Sequence, residues 1–82
     1  MTKRTNWEKN ASNLLKAEIK RRGFVYEDLA IALKKIGVEK TTPNLNKTIN
    51  AGKFSFSFFL QCAEAIGIKN LRLGELITHE ED

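Results

Sequence analysis

The chain has 82 residues, with 14 lysines and arginines against 10 acids and a formal net charge of +4. That length allows one small domain, which buries only about 60–65% of its unfolded surface. The single cysteine, Cys62, excludes an internal disulfide and a cysteine metal cluster, and no apolar run approaches the roughly 18–20 residues of a membrane span.

Residues 1–6, MTKRTN, are polar and basic and read as a disordered arm. The domain then spans residues 7–78, followed by an acidic tail over 79–82. The opening stretch MTKRTNWEKN lacks the apolar core of a signal peptide, so a soluble cytoplasmic location is expected. Ala11, Leu14, Leu15 and Ile19, with Glu18 at the edge, recur at the i, i+3, i+4 spacing of one helical face. Asn10 or Ser12 is a candidate cap, but Trp7 lies one turn back from Ala11, which allows a start near Asn6, and it is expected to anchor this first helix. Lys20, Arg21 and Arg22 complement its C-terminus, and Gly23 ends it.

A second helix runs from about Tyr26 to Ile36, with Glu27 and Asp28 in its first turn. Leu29, Ala30, Leu33 and Ile36 form its apolar stripe, and Gly37 stops it. After the turn Val38 to Thr41, Thr41 or Thr42 caps a third helix over about Pro43 to Ala51, and Gly52 stops that one. Leu45 and Ile49 are its only large apolar residues, so it buries a narrow stripe and exposes the rest. Ser55 or Ser57 caps a fourth helix reading Phe58 to Ile66, with Phe58, Phe59, Cys62, Ala63 and Ile66 on its apolar face. Leu73, Leu76 and Ile77 suggest a last helical turn or two, and no convincing strand occurs. The expected fold is all-α with five helices.

The pair of short helices from Tyr26 to Gly52 has the sequence form of a helix-turn-helix, whose second helix enters the major groove of DNA. A groove about 12 Å wide admits one helix carrying side chains that read base edges. The third helix offers Asn44, Asn46, Lys47, Thr48 and Asn50 for that purpose. Asparagine pairs with adenine, lysine contacts guanine, and threonine gives a hydroxyl or methyl contact. Lys34, Lys35, Lys40, Thr42 and Lys53 are the candidate backbone contacts. No acid falls from residue 41 to 60, as a surface laid against phosphates requires. Residues 1–78 carry 14 bases against 7 acids, so the body is more basic than the whole chain. Double-stranded DNA is the expected partner, and transcriptional regulation the expected role.

The segments LLKAEIKRRGFVYEDLAIAL, Leu45 to Gly52 and FSFSFFLQCAEAIGIKNLRLGEL resemble the lambda-repressor-like helix-turn-helix domains of bacterial and phage regulators. The matching features are the basic-Gly break, Leu29-Ala30, Gly52, the Ala63 to Ile68 close and the Leu73 to Leu76 turn. The resemblance implies a five-helix fold that binds double-stranded DNA through the third helix. Leu29 to Gly52 spans 23 residues, longer than the family's usual spacing, which implies an extended second helix or turn. The glutamate common near the end of the recognition helix is replaced by Asn50 or its neighbours. From Trp7 through AIGI the chain is also similar to a small bacterial domain family with the pattern W..LK..RG..Y.DLA..NL..KI..GKFS..FFLQC..AIG, which brings no activity with it.

Four of the five phenylalanines, Phe54, Phe56, Phe58 and Phe59, fall within six residues and cannot share one inward face. Phe58 and Phe59 are expected in the core, Phe54 over the end of the third helix and Phe56 exposed. Self-association through Phe54 and Phe56 would give a homodimer, suited to two half-sites on DNA. The alternative function is a protein–protein interaction module on the same fold that no longer binds DNA. Catalysis is not expected, because the only histidine, His79, lies in the tail. No cofactor, metal or small-molecule substrate is expected either, since the glycines are spaced as helix stops.

Overall fold

The computed structural model describes residues 6–71. Four helices lie there and no strand: α1 (Asn6–Arg21), α2 (Tyr26–Lys35), α3 (Thr42–Ala51) and α4 (Phe56–Ile66). Residues 1–5 of the arm expected over 1–6, the last helical turn over 73–77 and the acidic tail with His79 lie outside the described residues, while Asn6, expected in the arm, begins α1. Among the described residues, no helix is long and apolar enough to cross a membrane.

Each helix contributes a narrow stripe to one core. Leu15 and Ile19 come from α1, Leu29 and Leu33 from α2, and Leu45 and Ile49 from α3. Phe58, Phe59, Cys62 and Ile66 come from α4. Burying each large side chain stabilises the fold by about 1.5–3 kcal/mol. The third helix is the hub on one side, packing against both α1 and α2, while α2 also packs on α4.

Local chemistry sets the helix ends. Thr41 caps α3 by accepting from the Asn44 N–H at 3.2 Å, and Pro43 sits in its first turn. Ser55 caps α4 by accepting from the Phe58 N–H at 3.0 Å. That cap starts α4 at Phe56, two residues before the apolar spacing alone suggests. At the start of α2, Asp28 accepts from the Val25 N–H at 3.0 Å. The end of α2 closes with Gly37 N–H to the Lys34 carbonyl and Val38 N–H to the Leu33 carbonyl, at 3.0 and 2.9 Å. Residues 36–41 then connect α2 to α3, six residues against the three or four typical of a helix-turn-helix. The second helix itself has ten residues.

Four expectations change. Trp7 is 75% exposed and does not anchor α1. The buried cluster draws only Leu15 and Ile19 from α1, two turns or more further along the helix. Asn10 and Ser12 are not caps but buried positions inside α1, which begins at Asn6. Glu18 is not at an edge but fully buried. Its carboxylate accepts from Arg21 Nη1 at 3.1 Å and from Arg22 Nη1, while Arg22 Nη1 also reaches the Glu18 carbonyl at 3.3 Å. A carboxylate removed from water needs such partners. Ile36, expected in the α2 stripe, is 41% exposed just past the helix end.

The Ser12 hydroxyl is fully buried and has no hydrogen-bond partner among the described residues. A desolvated, unpaired hydroxyl costs stability, and alanine is the better helix former. Ser12→Ala is expected to stabilise the domain by about 1 kcal/mol, read as a raised urea midpoint with unchanged m-value. A loss of stability would mean that the hydroxyl has a partner.

Candidate nucleic-acid interface

The exposed surface of α3 follows from its two buried residues. With Leu45 and Ile49 inward, a rotation of about 100° per residue carries Lys47 to the crest, between Pro43 and Ala51. Asn46 and Asn50 form one flank, and Asn44 and Thr48 the other. Asn44, Asn46, Lys47 and Asn50 are exposed, while Thr48 is half-buried. Five side chains of donor and acceptor chemistry thus share one face around a single cation.

The two asparagines of the first flank are tied together. Asn50 Nδ2 donates to Asn46 Oδ1, and Asn50 Oδ1 accepts from the Tyr26 hydroxyl at 3.5 Å. Adenine recognition by one asparagine uses both its amide oxygen and its amide nitrogen. Asn50 commits both within the protein, so Asn46 and Asn50 are one coupled unit rather than two independent readers. Tyr26 belongs to this unit and was not legible as a site residue, because contacts 24 positions apart leave no periodic signal. Burial raises the Tyr26 pKa above 10.0, keeping its hydroxyl a donor at neutral pH.

The candidate backbone cations divide. Lys53 is exposed one residue past Gly52, at the C-terminal end of α3. Thr42 is half-buried in the first turn of α3. Lys40 lies exposed just before α3, its Nζ 5.9 Å from the centroid of the Phe58 ring. That contact gives the ammonium a weak resting place between α3 and α4. Lys34 lies a little under a quarter turn around α2 from Tyr26, the residue that touches α3. Lys35, by contrast, is nine residues from Tyr26 and so on the opposite side of α2. It lines a cleft with Asp28, Ile31, Ile36 and Ala65, away from the α3 crest. Lys47 lies on α3, and Lys40 and Lys53 lie two residues before and after it, whereas Lys34 and Lys35 sit in the last turn of α2, Lys35 on the side opposite Tyr26.

Placement of α3 depends on Gly52. Its φ is 73°, and a Cβ built there would lie 1.9 Å from the Glu8 carbonyl oxygen. The C-terminus of α3 therefore abuts the backbone of α1 with no room for a side chain.

The aromatic cluster is split as its spacing implies. Phe58 and Phe59 are buried, and Phe54 is half-buried with its ring 5.7 Å from that of Phe58. Phe56 is 69% exposed and stacks on Phe59 at 6.0 Å, with Leu60 exposed one turn on. Cys62 is fully buried, and burial pushes its pKa up to about 12, which leaves an inert thiol.

A family model described as a domain of unknown function (DUF6471) matches residues 7–71, the span that carries all four helices. No curated protein matches the chain, and no solved structure does.

Proposed function

We propose that this chain, which belongs to the DUF6471 family, binds double-stranded DNA by laying α3 in the major groove. In this proposal α2 and α3 act as a helix-turn-helix with a lengthened turn, on a lambda-repressor-like fold, in a transcriptional regulator. The observation that carries it is the exposed face of α3. That helix buries two residues, presents amides, hydroxyls and Lys47 on the rest, and is flanked in sequence by Lys40 and Lys53. No acid occurs between Glu39 and Glu64, so nothing along the helix or the loop after it repels phosphate. Lys47 and the Asn44/Thr48 flank are the base-reading groups, joined by the Asn46–Asn50 unit when its internal bonds exchange for a base.

The test is a fluorescence-anisotropy titration of random 24-base-pair duplex at about 50 and 200 mM salt, across dissociation constants of about 10⁻⁴ to 10⁻⁶ M. Three or four phosphate contacts predict affinity falling about 40- to 150-fold between the two salt concentrations. Absence of binding at the lower salt, from a folded domain, would sink the proposal. That result would favour the second function, a protein-interaction module. The support for it is the exposed Phe56–Leu60 ridge on α4, where a protein partner or a second copy would dock.

A further inference from the structure

We infer that the cleft between the C-terminal ends of α1 and α4 is a binding site for a small anion bearing linked phosphate groups. The cleft measures about 590 Å³ and is lined by Arg21, Arg22, Gly67, Lys69 and Asn70. Among the described residues, three cations and one amide converge there from two separate segments, with no acid and no large apolar side chain in the lining.

The buried carboxylate explains why the arginines are held in place. Arg21 and Arg22 both bond Glu18, which is fully buried beneath them. One negative charge therefore holds two guanidinium groups side by side, so Glu18, Arg21 and Arg22 together carry a net charge of +1, to which Lys69 adds another, and the two helix C-termini offset only part of that sum. Each guanidinium has five N–H donors, and Arg21 and Arg22 each engage only Nη1 with Glu18. The outward donors are fixed in direction before any ligand arrives. Adjacent guanidinium groups repel, and an anion bridging them relieves that repulsion while accepting the outward N–H groups. Three cations spread along a cleft of this width suit two linked phosphates better than one.

The site is separate from the α3 face. Gly52 meets α1 at Glu8, whereas the cleft begins at Arg21, 13 residues further along the helix. At 1.5 Å per residue the two lie about 20 Å apart. The inference therefore stands or falls independently of DNA binding.

Calorimetric titration of the whole chain with inorganic pyrophosphate, against sodium chloride of matched ionic strength, tests it. The expected result is saturable binding to one site. Lys69→Glu, which leaves the Glu18 bonds intact, should weaken it at least about tenfold (about 1.4 kcal/mol) without lowering the melting temperature of the free protein. Asn70→Asp should weaken it less, and Lys47→Glu should leave it unchanged. Heat no larger than that of sodium chloride would overturn the inference, as would binding indifferent to Lys69→Glu or abolished by Lys47→Glu. So would failure to bind pyrophosphate combined with a Lys69→Glu loss of duplex affinity as large as that of Lys47→Glu, since the cleft would then serve the DNA backbone.

Discussion

Gly52→Ala is expected to destabilise the domain by about 3 kcal/mol or more in urea unfolding, the largest effect of a methyl group added at any of the described glycines. Two costs combine. The residue sits at φ 73°, where an L side chain costs about 1–2 kcal/mol. The added Cβ would also lie 1.9 Å from the Glu8 carbonyl oxygen and 2.7 Å from its carbon, distances no pair of atoms tolerates. The obstructing atoms are backbone, so relief requires α1 and α3 to move apart, which opens the layer held by Leu15, Leu45 and Ile49. A domain of this size has about 4–12 kcal/mol in total, so the loss is a large share. Gly37→Ala isolates the first cost. Its φ is 86° and nothing lies within 4 Å of the added atom, so a loss of about 1–2 kcal/mol is expected. Equal losses at the two positions would mean that α1 and α3 do not approach as closely as described.

Lys47→Glu is expected to lower duplex affinity at least about 100-fold at low salt while leaving the far-ultraviolet circular dichroism unchanged. Lys47 is exposed on the crest of α3, opposite Leu45 and Ile49, so the fold does not depend on it. In the proposed pose the substitution replaces an attraction by a repulsion at the centre of the contact. The informative comparison is Lys35→Glu, which changes the net charge by the same amount on the far side of α2. Its expected effect is a few-fold loss, from the long-range field alone. Similar losses in the two variants would show that binding follows net charge rather than the face of α3.

The glycine stops and the α3 cap were legible because capping chemistry is local, whereas the starts of α1 and α4 were not fully so. Gly23, Gly37, Gly52 and Gly67 all carry positive φ at helix ends, and Thr41 caps α3. The stripes at Leu29/Leu33 and Leu45/Ile49 were legible for the same reason, since helical spacing is a property of neighbouring residues. What failed depends on which elements meet. Trp7 matches the periodicity of α1, yet the buried cluster takes only Leu15 and Ile19 from that helix. Glu18 is a carboxylate between Ala17 and Ile19, and only the path of α1 into the core reveals that it is buried with two arginines. The Tyr26–Asn50–Asn46 chain and the Arg21–Arg22–Lys69 cleft join distant segments, so no spacing rule announces either. Lys35 was grouped with Lys34 as a pair, but adjacent residues on a helix point about 100° apart.

The closeness of Gly52 to Glu8 has a consequence for how this domain can diversify. The angle of α3 is set by Leu45, Ile49 and a backbone-to-backbone contact, none of which lies on its outer surface. Residues 44, 46, 47 and 48 can therefore be exchanged in combination without re-aiming the helix that carries them. Randomising those four positions while holding 45, 49 and 52 constant would vary chemistry on a fixed mount. This is the arrangement that makes a scaffold easy to retarget, by natural drift or by selection in the laboratory.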